Sequence, residues 1–193
     1  MSSLSGEDDH LAELVEHFGS RLFLVFSYFF FEVEFRKDKE FVEEFVKEPG
    51  PDIIRGLRVG TVQAACLNTT LLTIRDIDDF FKPRAPETRS DDLKASDLGY
   101  NEGLEFLTKS ERQRINKIIM HSTVTAVKNY DASWDIQELI SKCVSQSLHF
   151  LNWVIMNYPG EKHPKIWAAA IKNTELTKMI LTYAKRVNAN KAS

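Results

Sequence analysis

Apolar side chains recur every three or four residues along most of the chain, the spacing that places them on one face of an α-helix. The first series predicts a helical segment over residues 7–47, with a helix-start box formed by Ser5 and Asp8. A short alternating pattern indicates a break in this segment near 34–38. The sequence Glu-Pro-Gly-Pro at 48–51 ends it, because proline cannot donate a backbone hydrogen bond.

A long helix and a long loop follow. The helix is predicted over 51–81, and its length favours a bundle, in which neighbouring helices stabilise one another. The loop covers 83–106 and has no strong period, although one helical turn is predicted around 91–94. Loops of this length are often functional or disordered.

Three helices are predicted in the second half of the chain. The first covers about 108–128 and begins at a capping box, in which its first residue and Glu111 bond reciprocally. The second covers about 134–157 and ends at the sequence Asn-Tyr-Pro-Gly. The third lies within 164–187.

These helices predict an all-α fold, an up-down bundle of four main helices plus a C-terminal helix. A single domain is expected over 1–193, with its core at about 8–158 and a helical extension at 161–193. Strands do not alternate with helices along the sequence, which argues against a parallel sheet.

Composition narrows the class of protein. Hydrophobic residues make up 43% of the 193 positions and charged residues 27%, as is usual for a globular domain. The net charge of −3 provides no overall basic field, so RNA would need a local basic patch. Cys66 and Cys143 form no CxxC pattern, which argues against a disulfide framework and a zinc site.

The location of the protein is predicted from what the chain lacks. Its first residues do not resemble a signal peptide. The most apolar run, 22–31, is too short to span a bilayer, so we interpret it as a buried segment. We therefore expect a cytoplasmic protein without membrane contact, and we predict no metal and no cofactor.

The candidate chemistry lies in the stretch RINKIIMH, where Arg114 and His121 stand about two helical turns apart. On a helical wheel of about 100° per residue, polar side chains cluster within about 60° of Arg114. They are Ser110, Lys117, His121, Thr125 and Lys128. We call this set the polar stripe.

Two interpretations of the polar stripe stay open. Arginine is a strong bidentate phosphate ligand, and histidine titrates near neutral pH. Together they can cleave RNA without metal, since His121 can take the 2′-hydroxyl proton while Arg114 and Lys117 stabilise charge on the phosphate. The alternative is an ordinary solvated helix face.

The stretch RINKIIMHST resembles the HEPN superfamily (higher eukaryotes and prokaryotes nucleotide-binding), whose all-α bundles carry an arginine followed by a histidine late in the domain. The matching positions are Arg114, Asn116, Lys117, His121 and Thr123. Many members have a polar residue directly after the arginine, where this chain has Ile115. The resemblance covers roughly residues 8–158.

The resemblance implies a homodimer in which two motif helices meet and form one composite cleft. It implies a metal-independent endoribonuclease, in a toxin–antitoxin or phage-defence setting, with an antitoxin protein as a further partner. Arg114 and His121 would be the catalytic pair. Accessory or RNA-binding roles would fall to Asn116, Lys117, Ser110 and Thr125. Other members have lost catalysis, so a non-catalytic protein- or nucleotide-binding module is the alternative hypothesis, and the sequence leaves enzymatic activity open.

Three further features have weaker functional interpretations. The run TIRDIDDFF at 73–81 predicts an acidic cluster, which is either surface charge or support for the Arg–His site. The run SYFFF at 27–31 favours core packing or a dimer seam over base stacking. His149 is expected at the edge of the core with a hydrogen bond. His10 and His17 lie seven residues apart, but we assign no site to them.

Overall fold

The computed structural model describes residues 4–26, 52–84, 93–102, 105–117 and 136–189. We number the α-helices within these ranges in chain order: α1 (Leu4–Val25), α2 (Asp52–Phe81), α3 (Lys109–Ile115), α4 (Ile136–Asn157) and α5 (Pro164–Ala189). These ranges contain no β-strand, which confirms the prediction of an all-α fold.

An aromatic cluster forms the centre of the core. The ring of Phe18 in α1 lies 4.9 Å from that of Phe80 in α2 and 5.0 Å from that of Phe150 in α4. Phe81 and Tyr100 extend the cluster towards the loop that follows α2. All five side chains are buried. These tilted and edge-to-face ring contacts add to the hydrophobic stabilisation that burial provides, and they hold α1, α2 and α4 together.

The C-terminal helix α5 is an integral part of the bundle. It packs along both α1 and α4. Lys165 pairs with Asp9 near the beginnings of α5 and α1, at 2.5 Å. Further along, the side-chain amide of Asn173 donates to the carbonyl of Val15 at 2.8 Å. The two helices therefore run in the same direction, and α5 covers a face of α1 rather than extending away from the core.

Most of the predicted helix ends are found where local sequence places them. The second helix ends at Phe81, before Lys82-Pro83, and α4 ends at Asn157, before the predicted turn. The start of α1 differs from the prediction. It begins at Leu4, so Ser5 lies within its first turn instead of preceding the helix.

Residues 91 and 92 of the turn predicted around 91–94 lie outside the described residues, and 93–94 lead into a helical turn further along the chain. A short 3-10 helix occupies Ala95–Leu98. The carboxylate of Asp97 accepts a hydrogen bond from the backbone amide of Lys94 at 2.9 Å, which fixes its first turn. It ends at Gly99, whose φ of 79° is the left-handed conformation that glycine adopts most easily.

The apolar run at 22–31 is not buried throughout. Leu22, Val25 and Phe26 are buried, but the side chains of Phe23 and Leu24 are 62% and 44% exposed. Successive helical residues point about 100° apart, so a helix packed on one side must expose some members of such a run. The SYFFF part of the run lies outside the described residues.

Two more properties of the described helices bear on function. None of them combines the length and apolar character that crossing a membrane demands. Both cysteines are free, and burial raises the pKa of the Cys66 and Cys143 thiols above the usual range. Protonated thiols are poor nucleophiles, so neither cysteine has the character of a reactive site.

Candidate functional site

The first part of the polar stripe lies on α3 and the two residues after it. Ser110 and Lys117 are exposed, Arg114 is partly exposed, and Ile115 is fully buried. Arg114 therefore lies at the border between the buried face of α3 and its solvent-facing side. His121 and Thr125 lie outside the described residues, as do Thr123 and Lys128.

The apolar residue that directly follows Arg114 is Ile115, and its burial explains why this position is not polar. Its side chain has no exposed surface and belongs to the main hydrophobic core. Burial of an isoleucine side chain contributes about 2 kcal/mol relative to exposure. A polar side chain at this position would need a hydrogen-bond partner inside the core.

The start of α3 is fixed by the capping box that the sequence predicts. The Thr108 hydroxyl accepts from the Glu111 backbone amide at 3.2 Å, and the Glu111 carboxylate accepts from the Thr108 amide at 2.6 Å. Lys142 of α4 donates to the other carboxylate oxygen of Glu111 at 3.0 Å. The first turn of α3 is therefore satisfied internally and tied to α4.

A buried carboxylate connects α3 to the end of α2. Asp78 has no exposed surface, and its Oδ1 accepts the backbone amides of Phe106 and Leu107, both at 2.9 Å. Its Oδ2 accepts from Nε of Arg112 at 2.6 Å. The carboxylate thus receives donors on both oxygens, which is the arrangement a buried charge requires.

Arg112 completes this connection from the side of α3. Its guanidinium also donates to the Leu107 carbonyl at 2.8 Å and to the Glu105 carboxylate. Burial lowers the pKa of Arg112, but the bonds to Asp78 and Glu105 outweigh burial and raise it, so the group stays charged. Because Arg112 precedes Arg114 by two residues, this network fixes the helix that carries Arg114.

The predicted acidic cluster on α2 is therefore divided between two environments. Asp78 points into the protein, whereas Asp76 is exposed and Asp79 partly exposed. A sequence signal for this division exists. Asp78 follows Ile74 by four residues and precedes Phe81 by three, and both of these apolar side chains are buried, so all three lie on the same face of α2. A charged residue inside such an apolar series indicates a buried partner. Of the two interpretations left open for the run, surface charge fits Asp76 and Asp79, whereas Asp78 is buried and bonded to α3.

Asn116 has an unsatisfied side-chain oxygen. It follows the last residue of α3, and the chain at 116–117 adopts the wider π-helical winding, which occurs frequently at functional sites. Oδ1 of Asn116 is buried and has no hydrogen-bond partner in the part of the chain that the structure describes. Leaving a buried acceptor unpaired costs about 1–3 kcal/mol, so such atoms in folded proteins call for an explanation.

Two histidines outside the motif have defined partners. Nδ1 of His149 lies 2.7 Å from the Tyr100 hydroxyl, so the expected hydrogen bond is present, although the His149 side chain is 60% exposed. His17 accepts a hydrogen bond from Nε of Arg21 at 3.1 Å. Our interpretation of His17 considered its spacing from His10 and overlooked the arginine one helical turn after it.

Neither a metal centre nor a recognised relative adds to this description. The described ranges contain no group of three or more His, Cys, Asp or Glu side chains arranged to hold a metal ion. Comparisons with protein-family models, with curated proteins and with solved structures find no match for the chain.

Proposed function

We propose that this protein is a metal-independent, HEPN-like endoribonuclease that acts as a homodimer. The motif residues are Arg114, Asn116, Lys117 and His121. The observation that carries the proposal is the buried Oδ1 of Asn116, two residues after Arg114, which has no hydrogen-bond partner among the described residues. A ribose hydroxyl of bound RNA, or a donor from a second protomer, would satisfy this atom and remove its cost once the Asn116 side chain turns towards solvent.

The network around Asp78 gives the proposed site a rigid support. A catalytic arginine must be held in place before substrate binds, and the support for α3 comes from the buried Asp78 and from Arg112, which is 18% exposed. Arg112 is occupied by Asp78, Glu105 and Leu107. It is therefore a positioning residue, and the proposed phosphate contact falls to Arg114 and to Lys117, which is exposed.

The proposed reaction is an internal transfer at phosphorus. His121 takes the proton of the ribose 2′-hydroxyl, and the 2′-oxygen forms a bond to phosphorus. The bond from phosphorus to the 5′-oxygen breaks, and that oxygen leaves with a proton from solvent. The products are a 2′,3′-cyclic phosphate and a 5′-hydroxyl. Arg114 and Lys117 stabilise the negative charge that develops on the phosphate oxygens.

Cleavage of a labelled RNA pool by the purified protein in EDTA tests this function. We expect His121→Ala to reduce the cleavage rate by about a hundredfold or more, since general acid–base catalysis contributes that much. His10→Ala is the matched control, because His10 is exposed on α1 and outside the motif. Its rate should equal that of the unaltered protein.

Two results would overturn the proposal. One is cleavage that persists in folded His121→Ala protein, which would remove the assigned mechanism. The other is a protein that light scattering shows to be dimeric but that cleaves none of a varied set of RNAs, with or without EDTA. In that case the non-catalytic binding module becomes the better hypothesis, and co-purification of a partner would identify what it binds.

A further inference from the structure

A polar cavity lies between α1 and the C-terminal part of α2, separate from α3. Its volume is about 380 Å³, and its lining includes His17 and Arg21 from α1, Asp76 and Asp79 from α2, and Lys94 from the following loop. Phe80 and Leu93 provide its apolar part. The size falls in the range of pockets that hold small molecules.

The carboxylates of the cavity are not equivalent. Asp79 is already neutralised, because it pairs with Lys82 and its Oδ2 lies 3.7 Å from Nε of Arg75. Asp76 has no hydrogen bond or salt bridge to another described residue. Partial burial raises the pKa of Asp76, while the positive charges of Arg21 and Arg75 oppose that rise. Asp76 is therefore the carboxylate that is open to accept hydrogen bonds from a ligand.

The cations of the cavity lack direct anionic partners. Lys94 directs its ammonium group to the backbone carbonyl of Asp79 at 2.7 Å, and Arg21 donates Nε to His17. Within the described residues, no carboxylate lies at salt-bridge distance from either cation. Arg21 retains its terminal nitrogens and Lys94 retains two of its three donors, which suits an oxyanion with several acceptor oxygens.

The hydrogen bond to His17 also orients Arg21. Nε of Arg21 donates to Nε2 of His17 at 3.1 Å, one helical turn earlier on α1. The bond holds the guanidinium against α1, so its planar edge is fixed before any ligand arrives. A preorganised guanidinium loses less side-chain entropy on binding than a free one.

We propose that this cavity binds a small phosphomonoester of a hydroxylated sugar, with the phosphate on Arg21 and Lys94 and a sugar hydroxyl on Asp76. Two cations and one open carboxylate match a ligand that is anionic at one end and donates hydrogen bonds at the other. A free sugar phosphate and the ribose phosphate of a nucleotide share this chemistry. The site does not involve α3, so it is independent of the proposed RNA cleavage.

Isothermal titration calorimetry tests the site with ribose 5-phosphate, AMP, inorganic phosphate and ribose as separate probes. We expect ribose 5-phosphate to bind more tightly than phosphate, and ribose alone to give no signal. If AMP binds more tightly than ribose 5-phosphate, the natural ligand is a nucleotide. If ribose 5-phosphate binds more tightly, the natural ligand is a free sugar phosphate. Failure of all four probes at millimolar concentration would overturn the proposal.

Substitutions separate the two halves of the site. Arg21→Gln and Lys94→Gln should each weaken ribose 5-phosphate binding about tenfold, the effect of losing one charge-assisted hydrogen bond. Lys178→Gln is the matched control, because it removes the same charge from an exposed position on α5. Equal affinity in Arg21→Gln, Lys94→Gln and the control would overturn the proposal.

Asp76→Asn tests the contact with the sugar. It should weaken ribose 5-phosphate binding while leaving or strengthening the binding of inorganic phosphate, since the carboxylate repels the anion. An unchanged ratio between the two probes would overturn the assigned role of Asp76. Asp76 is exposed on α2, so Asp76→Asn is expected to fold. It therefore tests the site independently of Lys94→Gln, which also loses the bond from Lys94 to the Asp79 carbonyl and can disturb the loop.

Discussion

Oδ2 of Asp78, at the end of α2, lies 2.6 Å from Nε of Arg112 in α3, and the Asp78 side chain is completely buried. The two residues of this pair are 34 positions apart in the chain, and they join α2 to α3. Removing one member of a buried ion pair leaves the other as an uncompensated charge in a low-dielectric environment. Breaking this pair is therefore expected to lower the stability of the protein more than breaking one of its surface ion pairs.

Asp78→Asn is expected to lower the free energy of unfolding by about 3 kcal/mol, the lower end of the range for breaking a buried pair, since Arg112 keeps Glu105. Urea denaturation followed by circular dichroism measures the change. Asp79→Asn makes the same substitution at the next residue, where the carboxylate is 33% exposed, and should cost less than about 1 kcal/mol. Equal losses in the two variants would contradict the special role of Asp78.

A second prediction concerns the unpaired oxygen of Asn116. Asn116→Leu replaces a buried polar atom with an apolar group of similar size, so it should raise the free energy of unfolding by about 1 kcal/mol. The same variant should lose RNA cleavage, because the proposed hydroxyl contact is gone. Thermal unfolding and the cleavage assay provide the two measurements.

Asn152→Leu is the control for Asn116→Leu, since Asn152 is exposed on α4 and should show neither effect. If Asn116→Leu is less stable than the unaltered protein, the unpaired oxygen of Asn116 does not destabilise the free protein. Gain of stability with full cleavage activity would separate Asn116 from the proposed site.

The sequence predicted the parts of this structure that depend on local patterns. The capping box of Thr108 and Glu111 and the end of α2 at Phe81 require only neighbouring residues, and both were found as expected. The bond between Asp78 and Arg112 depends on how distant helices pack, and spacing along the chain does not determine it. The same holds for the meeting of His17 and Arg21 with Asp76 at the cavity.

The candidate site was predicted in outline only. The exposure of Ser110 and Lys117 beside the buried Ile115 follows from helical geometry. The packing of α5 against α1 was not predicted, because the apolar face of α5 is modest in sequence and its burial comes from close contact with α1. The catalytic assignment of Arg114 and His121 stays a prediction, since it depends on chemistry rather than on periodicity.

The close contact between α1 and α5 leads to a third prediction. A Cβ added at Gly19 would lie 2.0 Å from Oδ1 of Asn173, whose amide donates to the Val15 carbonyl. Alanine favours a helix over glycine by about 1 kcal/mol, but the buried Asn173 would have to move and lose its bond. We expect Gly19→Ala to lower the free energy of unfolding by about 1–3 kcal/mol, as overpacking does.

A double-mutant cycle with Asn173→Ala identifies the cause of that loss. In the Asn173→Ala background the clash is absent, so Gly19→Ala should become neutral or stabilising through helix propensity alone. Chemical denaturation of the four proteins gives the coupling energy. A coupling energy near zero would show that Gly19 and Asn173 are not in the close contact described.

The capping box predicts a specific dependence of stability on pH. Burial raises the pKa of Glu111, but hydrogen bonds from Thr108 and Lys142 outweigh it and lower the pKa below its ordinary value of 4.5. Between the folded and unfolded pKa values the unfolded chain binds more protons, so stability falls as the pH falls through this window. The contribution of Glu111 is complete above the unfolded value and is lost in acid.

Glu111→Gln should therefore be less stable than the unaltered protein by up to about 1 kcal/mol at neutral pH, because glutamine can still accept from the Thr108 amide but loses the ionic attraction to Lys142. The difference should narrow as the pH falls below the ordinary value of 4.5, because the native carboxylate becomes protonated and loses the negative charge that glutamine also lacks. Urea denaturation at several pH values measures it. Glu175→Gln, on the exposed face of α5, should differ from the unaltered protein by less than about 0.5 kcal/mol throughout. A Glu111→Gln deficit that stays constant across this range would show that the ionised carboxylate does not stabilise the start of α3.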